Sequence, residues 1–194
     1  MASEVFAERG FRGASLADVA TRAGLTQAGL LHHFGSKADL LAAVLEHRDD
    51  IDAVTLDRLE PRQPGFDTLG TLVDLTQMNI ARPEIVRLFA TMSGEAVNPD
   101  HPAHAWLTRH FDLSRDRFAE QIRAGISAGT IRADAPVDTI VAILIAVMDG
   151  LQIQWLLDPR VDMLAPLRET LDALAARWAV PSASTDTPTR KDAS

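Results

Sequence analysis

The sequence contains no cysteine and no tyrosine among its 194 residues. The first absence excludes disulfides and thiolate metal sites; the second leaves no phenol to serve as a general acid. Aromatic residues make up only 5%, yet hydrophobic residues reach 46%, so the core is expected to be mainly aliphatic and large enough for a stable body. Long apolar runs are also missing. The longest, Ile140 to Met148, is far shorter than the roughly 20 residues a bilayer span needs. No positively charged leader with a hydrophobic centre precedes the first helix, so no membrane partner and a cytoplasmic location are expected. No G-x-S-x-G elbow, P-loop or G-x-G-x-x-G is present, which argues against an enzyme and leaves no cofactor to expect. Cations are few: 19 Lys and Arg face 27 Asp and Glu, for a net charge of −8. That balance excludes a general nucleic-acid coat protein, whose affinity comes from neutralised phosphates.

What is present is a dense set of helix signals between Ser15 and Lys37, SLADVATRAGLTQAGLLHHFGSK. Ser15 occupies an N-cap position and Asp18, three residues on, completes a capping box. Leu16, Val19, Ala20 and Ala23 then recur at the spacing of one buried helical face. Gly24 is placed to end that helix in the left-handed conformation. Thr26 caps a second helix from Gln27 to about Phe34, in which Leu30 and Phe34 share a face. Ala20 and Gly24, four apart, are small where the two helices must cross. Gln27, Ala28, Leu31 and His32 point away from the Leu30/Phe34 face, as a helix presented to a major groove requires. Ser36 and Asp39 form a further capping box, with Lys37 in the first turn of the next helix.

The segment FAERGFRGASLADVATRAGLTQAGLLHHFGSKADLLAAV resembles the N-terminal domain of the TetR/AcrR family of transcriptional regulators. The resemblance spans about residues 2 to 47 and rests on Phe6, Gly10, Ser15, Val19-Ala20, Ala23-Gly24-Leu25, His33-Phe34 and Lys37 in that order. It implies an all-α protein: a three-helix helix-turn-helix DNA-binding domain at 1–47, a larger helical ligand-binding and dimerisation domain at 48–180, and a homodimer. In the family the first helix begins several residues earlier, behind a basic arm. Here the sequence starts inside it, so either the start is short or the arm and its backbone contacts are missing. The head is itself slightly acidic, with Arg9, Arg12, Arg22 and Lys37 against Glu4, Glu8, Asp18, Asp39 and Glu46.

Further along, the pattern predicts helices over 2–9 (closed by Gly10), from Lys37 to about Leu59, from Phe66 to Ile80, and from Pro83 to near Val97. Another runs from Pro102 to about Ser127, with His101 as its cap. Pro136 opens a helix to Leu157, and a last one covers about Asp162 to Trp178. PRQPG at 61–65 and NPDHP at 98–102 are breaks. The tail at 181–194 lacks large apolar residues and is expected to be disordered.

The expected DNA contacts are base edges for Gln27 and His32, a thymine methyl for Ala28 or Leu31, and phosphates for Thr26, Lys37 and Ser15, the last only if its hydroxyl is not engaged in capping. Leu31 stands where the family often carries a tyrosine able to reach a phosphate. For the body, the resemblance implies an effector cavity, with Phe89, Met92, Trp106, His110, Phe118 and Trp155 as liners; core packing is the plain alternative for each. Few charges fall on the apolar faces, which points to a small, largely apolar effector. Leu144, Met148, Leu151, Trp155, Leu171, Leu174 and Trp178 are the candidates for the dimer interface. His101, His104 and His110 are too poorly spaced on one helix for a metal site, and none is expected. The function so implied is a ligand-released repressor binding a palindromic operator, double-stranded DNA read by two heads. A helical small-molecule or metal-binding protein whose head no longer binds DNA is the alternative; the missing arm, Leu31 and the acidic head motivate it.

Overall fold

The computed structural model describes residues 1–58 and 62–181; Leu59 and the tail from 182 lie outside the described residues. Among them the chain is all-α. The head comprises α1 (Ala2–Gly13), α2 (Leu16–Ala23), α3 (Gln27–His33) and the first turns of α4 (Lys37–Arg58). The body continues with α5 (Phe66–Leu69), α6 (Thr71–Ile80), α7 (Pro83–Ala96), α8 (His104–Ser127), α9 (Val137–Leu157) and α10 (Leu164–Trp178). The one extended pairing among the described residues is an isolated bridge between Ile131 and Ala179.

The local caps form as their residue types dictate. Ser15 Oγ accepts the Asp18 amide at 3.1 Å, Thr26 Oγ1 that of Gly29 at 3.0 Å, and Ser36 Oγ that of Asp39 at 3.1 Å. Each satisfies one of the amide donors that a helix start leaves free. Gly24 ends α2 with φ 68°, and Leu25 N–H returns to Ala20 O at 2.9 Å, a left-handed C-terminal motif.

Four boundaries depart from the sequence expectation, each for a local reason. Gly10 does not close α1: it takes φ 65° and ψ 180°, and the chain resumes a helical turn to Gly13. The helix expected over 66–80 is divided at Gly70, whose amide bonds back to the carbonyls of both Phe66 and Asp67 and tightens the turn. Pro102 does not begin α8; His101 Nδ1 accepts the Ala103 amide at 3.1 Å, holding a turn before the helix starts at His104. Asp162 caps rather than begins α10, its Oδ1 accepting the amides of Leu164 and Ala165 at 2.8 and 3.2 Å.

Two apolar clusters organise the molecule. One joins Val5, Phe6, Val19, Ala20, Leu30, Leu40, Leu41 and Leu45 of the head to Leu88, Phe89, Met92 and Ala96 of α7 and to Trp106 and Leu107 of α8. The contact of α1 with α7 is the most extensive between any two helices. The other cluster lies within the body, built on Leu69, Leu72, Ile122, Ile140, Leu144, Met163 and Leu167. The head is therefore not a free module; it shares a core with α7. Helix α9, 21 residues, is long and apolar enough by length and composition to cross a membrane, although the unbroken apolar run in it is short. Its Asp149 and Gln152 interrupt the apolar character, and it packs against α8, α7 and α10.

Candidate DNA interface and effector cavity

Helix α3 is held to the molecule by Leu30, 4% exposed, while Gln27, Ala28, Leu31, His32 and His33 are exposed. Ser15 has no free hydroxyl, since it also donates to Asp18 Oδ2 at 2.7 Å; Thr26 Oγ1 accepts the Gly29 amide in capping α3 and keeps its own proton to donate. Lys37 is half-buried. Its Nζ donates to Ala14 O at 2.9 Å and stands 4.5 Å from the centre of the Phe11 ring. It fastens α4 to the end of α1, which leaves fewer of its donors for a phosphate.

The head's other cations are mostly matched on its own surface. Arg9 pairs with Asp18 at 2.7 Å and Arg22 with Glu8 at 2.6 Å. The pairing holds the carboxyls of Asp18 and Glu8 below their usual range, Ser15 and Arg22 respectively being the largest causes. Arg12 is exposed and has no ion pair among the described residues. Sequence alone does not single it out, because pairing depends on the folded surface.

A cavity of about 110 Å³ lies among α4, α6, α7, α8 and α9. Phe89, His110 and Phe118 line it; Met92, Trp106 and Trp155 do not. Met92 is fully buried in the cluster shared with the head, Trp155 packs on the body cluster, and Trp106 stacks on His110 at 5.4 Å and donates to Asp49 Oδ2 at 2.7 Å. The wall is more polar than the sequence implies. Arg48, Asp52, Asn79, Arg117, Asp149 and Gln152 all contribute to it. Sequence reasoning misses them because each sits on a long helix whose polar positions read as solvent-facing; the available signal is an aspartate directly after the Ile140–Met148 run.

The electrostatics of that wall are organised by Arg48, a buried guanidinium on α4. It pairs with Asp49 Oδ1 at 2.9 Å and Asp52 Oδ2 at 3.2 Å and lies 4.7 Å from the centre of the Phe89 ring. His110 Nδ1 is 3.3 Å from Asp49 Oδ1. Burial raises the carboxyl of Asp49, but His110, Arg48 and Trp106 outweigh it and the net direction is down. Burial dominates for Asp52, which is raised, and for Asp149, which is pushed up to about 6.

The three body histidines have separate partners: His101 Nε2 meets Glu95 at 3.2 Å, His104 Nδ1 meets Ala96 O at 2.7 Å, and His110 meets Asp49. No group of three metal-binding side chains occurs among the described residues.

The residues expected at a dimer interface divide. Leu144, Leu151 and Leu171 are buried in the subunit's own core, and Met148, Trp155, Leu174 and Trp178 are half-buried against it. The apolar positions that α9 leaves outward are Ile143, Ile153 and Leu157, the last 82% exposed. With Ala146 and Gly150 they form one stripe at alternating steps of three and four.

Comparison with known proteins accounts for this arrangement. A family model described as bacterial regulatory proteins, tetR family, matches residues 1–44, and one described as the C-terminal domain of BetI-type transcriptional repressors matches residues 72–179. The HTH-type transcriptional repressor KstR2 of Rhodococcus jostii is 28% identical over 145 residues, 71% of this chain and 68% of that protein. The HTH-type transcriptional regulator PksA of Bacillus subtilis is 26% identical over 164 residues, 80% of this chain and 75% of that protein. Among solved structures, a transcriptional regulator from Rhodococcus sp. RHA1 superimposes with a TM-score of 0.73 at 25% identity, covering 92% of this chain and 95% of its own. The same fold is seen in a regulator from Saccharomonospora viridis in complex with choline, with a TM-score of 0.71 at 21% identity over 93% of this chain and 94% of its own. It recurs in the SmeT–triclosan complex, the repressor of a Stenotrophomonas maltophilia efflux pump, with a TM-score of 0.74 at 20% identity over 92% of this chain and 88% of its own. The chain belongs to the TetR family of helix-turn-helix, DNA-binding transcriptional regulators and is not an enzyme.

Proposed function

We propose that the protein is a homodimeric repressor that binds a palindromic operator in the cytoplasm and leaves it when a small molecule occupies the body cavity. The observation that carries this reading is the double role of Phe89. Its ring lines the cavity, and the same side chain belongs to the apolar cluster that joins α7 to the head. Packed interiors pass on displacement because they contain little free volume. A ligand that shifts Phe89 and the Arg48 guanidinium against it therefore acts on α7 and α4, both of which hold the head. Two proteins of this fold carry choline and triclosan respectively, which supports an effector for this body as well.

In a dimer, two α3 helices would enter successive major-groove faces about 34–36 Å apart, or a multiple of that spacing. Exposed Gln27, Ala28, Leu31 and His32 then face bases, and His33 lies beside them. Ser15 and Lys37 serve mainly to fix α2 and α4, and phosphate contact falls more to helix N-termini, to the Thr26 hydroxyl proton and to Arg12. An effector shifts the balance only by its different affinity for the two head spacings.

Selection of bound duplexes from a random pool tests the reading. A recovered inverted repeat, lost when Gln27→Ala is used in the selection, is the expected result. Recovery of no sequence above the unselected pool would defeat it.

A further inference from the structure

The charges lining the body cavity are unevenly matched. Arg48 is engaged by Asp49 and Asp52, and Arg82 approaches Asp52 Oδ1 at 3.7 Å. His110 faces Asp49. Arg117, the other cation on the wall, has a partner of its own. Asp149 lines the same space and has neither an ion pair nor a hydrogen bond among the described residues. Every cation around it is already committed.

Two carboxamides beside Asp149 are in the same condition. Asn79 is 4% exposed and Gln152 9%, and Asn79 Oδ1 and Gln152 Oε1 are buried without a hydrogen-bond partner. Buried side-chain oxygens in that state are uncommon in native proteins and call for a donor. Asp149 and Gln152 are three apart on α9 and share a face; Asn79 comes from α6. Arg48 Nε and Arg82 Nη2 are also unpartnered, but both belong to guanidiniums whose charge is already met. Among the described residues the unmet groups of this wall are thus mainly acceptors, the Asp149 carboxylate, Asp52 Oδ1 and the Asn79 and Gln152 oxygens, against a single donor, Arg48 Nε. The rings of Phe89, Phe111 and Phe118 complete it, and aromatic faces attract cations while walling an apolar body.

Resting on the reading of this cavity as the effector site, we propose that the effector is a small organic amine. Its protonated nitrogen seats against Asp149 and donates to Asn79 and Gln152, its apolar part lying among the phenylalanine rings. The cavity, about 110 Å³, is smaller than the roughly 300–1,000 Å³ of drug-sized pockets, so the amine is compact or widens the site on entry. The carboxyl of Asp149, raised by burial to about 6, is ionised at neutral pH and is stabilised further by an ammonium partner.

The test is calorimetric titration of the full chain at pH 7.5 with benzylamine, benzyl alcohol and benzoate, three ligands of one shape and different charge. Benzylamine is expected to bind at least about tenfold tighter than the alcohol, with benzoate weakest, as the loss of a charge-assisted hydrogen bond implies. Asp149→Asn should bring the amine down to the level of the alcohol. Equal affinity for all three, preference for benzoate, no binding of the amine, or a preference that survives Asp149→Asn would each overturn the assignment. Should Asp149→Asn fail to fold by circular dichroism, Gln152→Leu takes its place; it should weaken the amine severalfold and leave the alcohol unchanged, and equal effects on both would be fatal. No arm uses DNA, so failure here removes the amine class and leaves operator binding standing, while failure of the duplex selection leaves these titrations interpretable.

Discussion

The backbone amide of Phe11 donates to Glu95 Oε2 at 2.8 Å across 84 residues of chain. This bond fastens the break in α1 to the last turn of α7, and so joins the head to the body. Gly10 makes it possible. At φ 65° and ψ 180° its backbone is in a region essentially reserved for glycine, and a Cβ there would stand 2.1 Å from Glu95 Oε1. His101 completes the joint. Its Nδ1 accepts the Ala103 amide, so the neutral ring carries its proton on Nε2, 3.2 Å from the same Glu95 oxygen.

Gly10→Ala is therefore expected to destabilise the protein by about 1–3 kcal/mol from backbone strain alone. Glu95→Ala, which leaves the Phe11 amide without its acceptor, should cost about 1–3 kcal/mol. Because both changes damage one joint, the double variant should lose less than the sum. Urea unfolding of the four proteins checks this; strict additivity would show that the two residues act separately.

Gln27→Ala and Lys37→Ala should separate reading from holding. Gln27 is exposed, so its loss should weaken the selected operator by about 1–3 kcal/mol if it reads a base and leave the melting temperature unchanged. Lys37 bonds Ala14 O and covers Phe11, so Lys37→Ala should lower the melting temperature as well as affinity. Thermal melts beside gel-shift titrations distinguish the two patterns, and a Lys37→Ala protein of undiminished stability would contradict the holding role.

The contrast between those two residues also marks what can be read from the sequence. Ser15, Gly24, Thr26 and Ser36 are legible because a cap is made within four residues and depends on little else. Lys37 is not, since its partner, Ala14 O, comes within reach only after α1 and α4 pack. Gly10 reads as a helix stop, whereas its requirement is set by Glu95 from α7. The cavity is the least legible feature. The aromatic residues at 89, 110 and 118 stand out by type, but periodicity alone does not show that Arg48, Asp52 and Asp149 turn inward toward one another. Leu144, Leu151 and Leu171 fail as free interface residues for a related reason: an apolar helix in a small body has two faces to bury, and hydrophobicity does not say which one a partner covers.

The outward stripe of α9 is the face we propose for a partner subunit. Ile153 is 53% exposed, and Gly150 has nothing within 4 Å of where a Cβ would be, so a second helix can approach closely. If two such stripes form the dimer seam, Ile153→Glu puts two carboxylates in an apolar contact, a cost of several kcal/mol. Light scattering after gel filtration should show a dimer for the parent chain and a monomer for Ile153→Glu. A variant that remains dimeric at micromolar concentration would move the interface elsewhere.

Asp149 gives a signed prediction for stability against pH. Its folded carboxyl titrates at about 6, against an ordinary value of 3.8, so the folded protein holds this proton more tightly than the unfolded chain. Its contribution is then most favourable below the unfolded value and is lost as pH rises toward 6. The difference of about two units corresponds to roughly 3 kcal/mol of penalty at neutral pH. The groups that share its cavity wall are Arg48 and Asp52 from α4 and His110 and Arg117 from α8. Arg48 and His110 lower the carboxyl but do not overcome burial. Asp149→Asn keeps the shape and removes the charge, so without ligand it should raise stability at pH 7.5 by up to that amount. The gain should shrink steadily below pH 6 and vanish near pH 4. Urea unfolding of both proteins across this range measures it, and a gain that is the same at pH 5 and pH 7.5 would mean that the penalty is not the ionisation of Asp149.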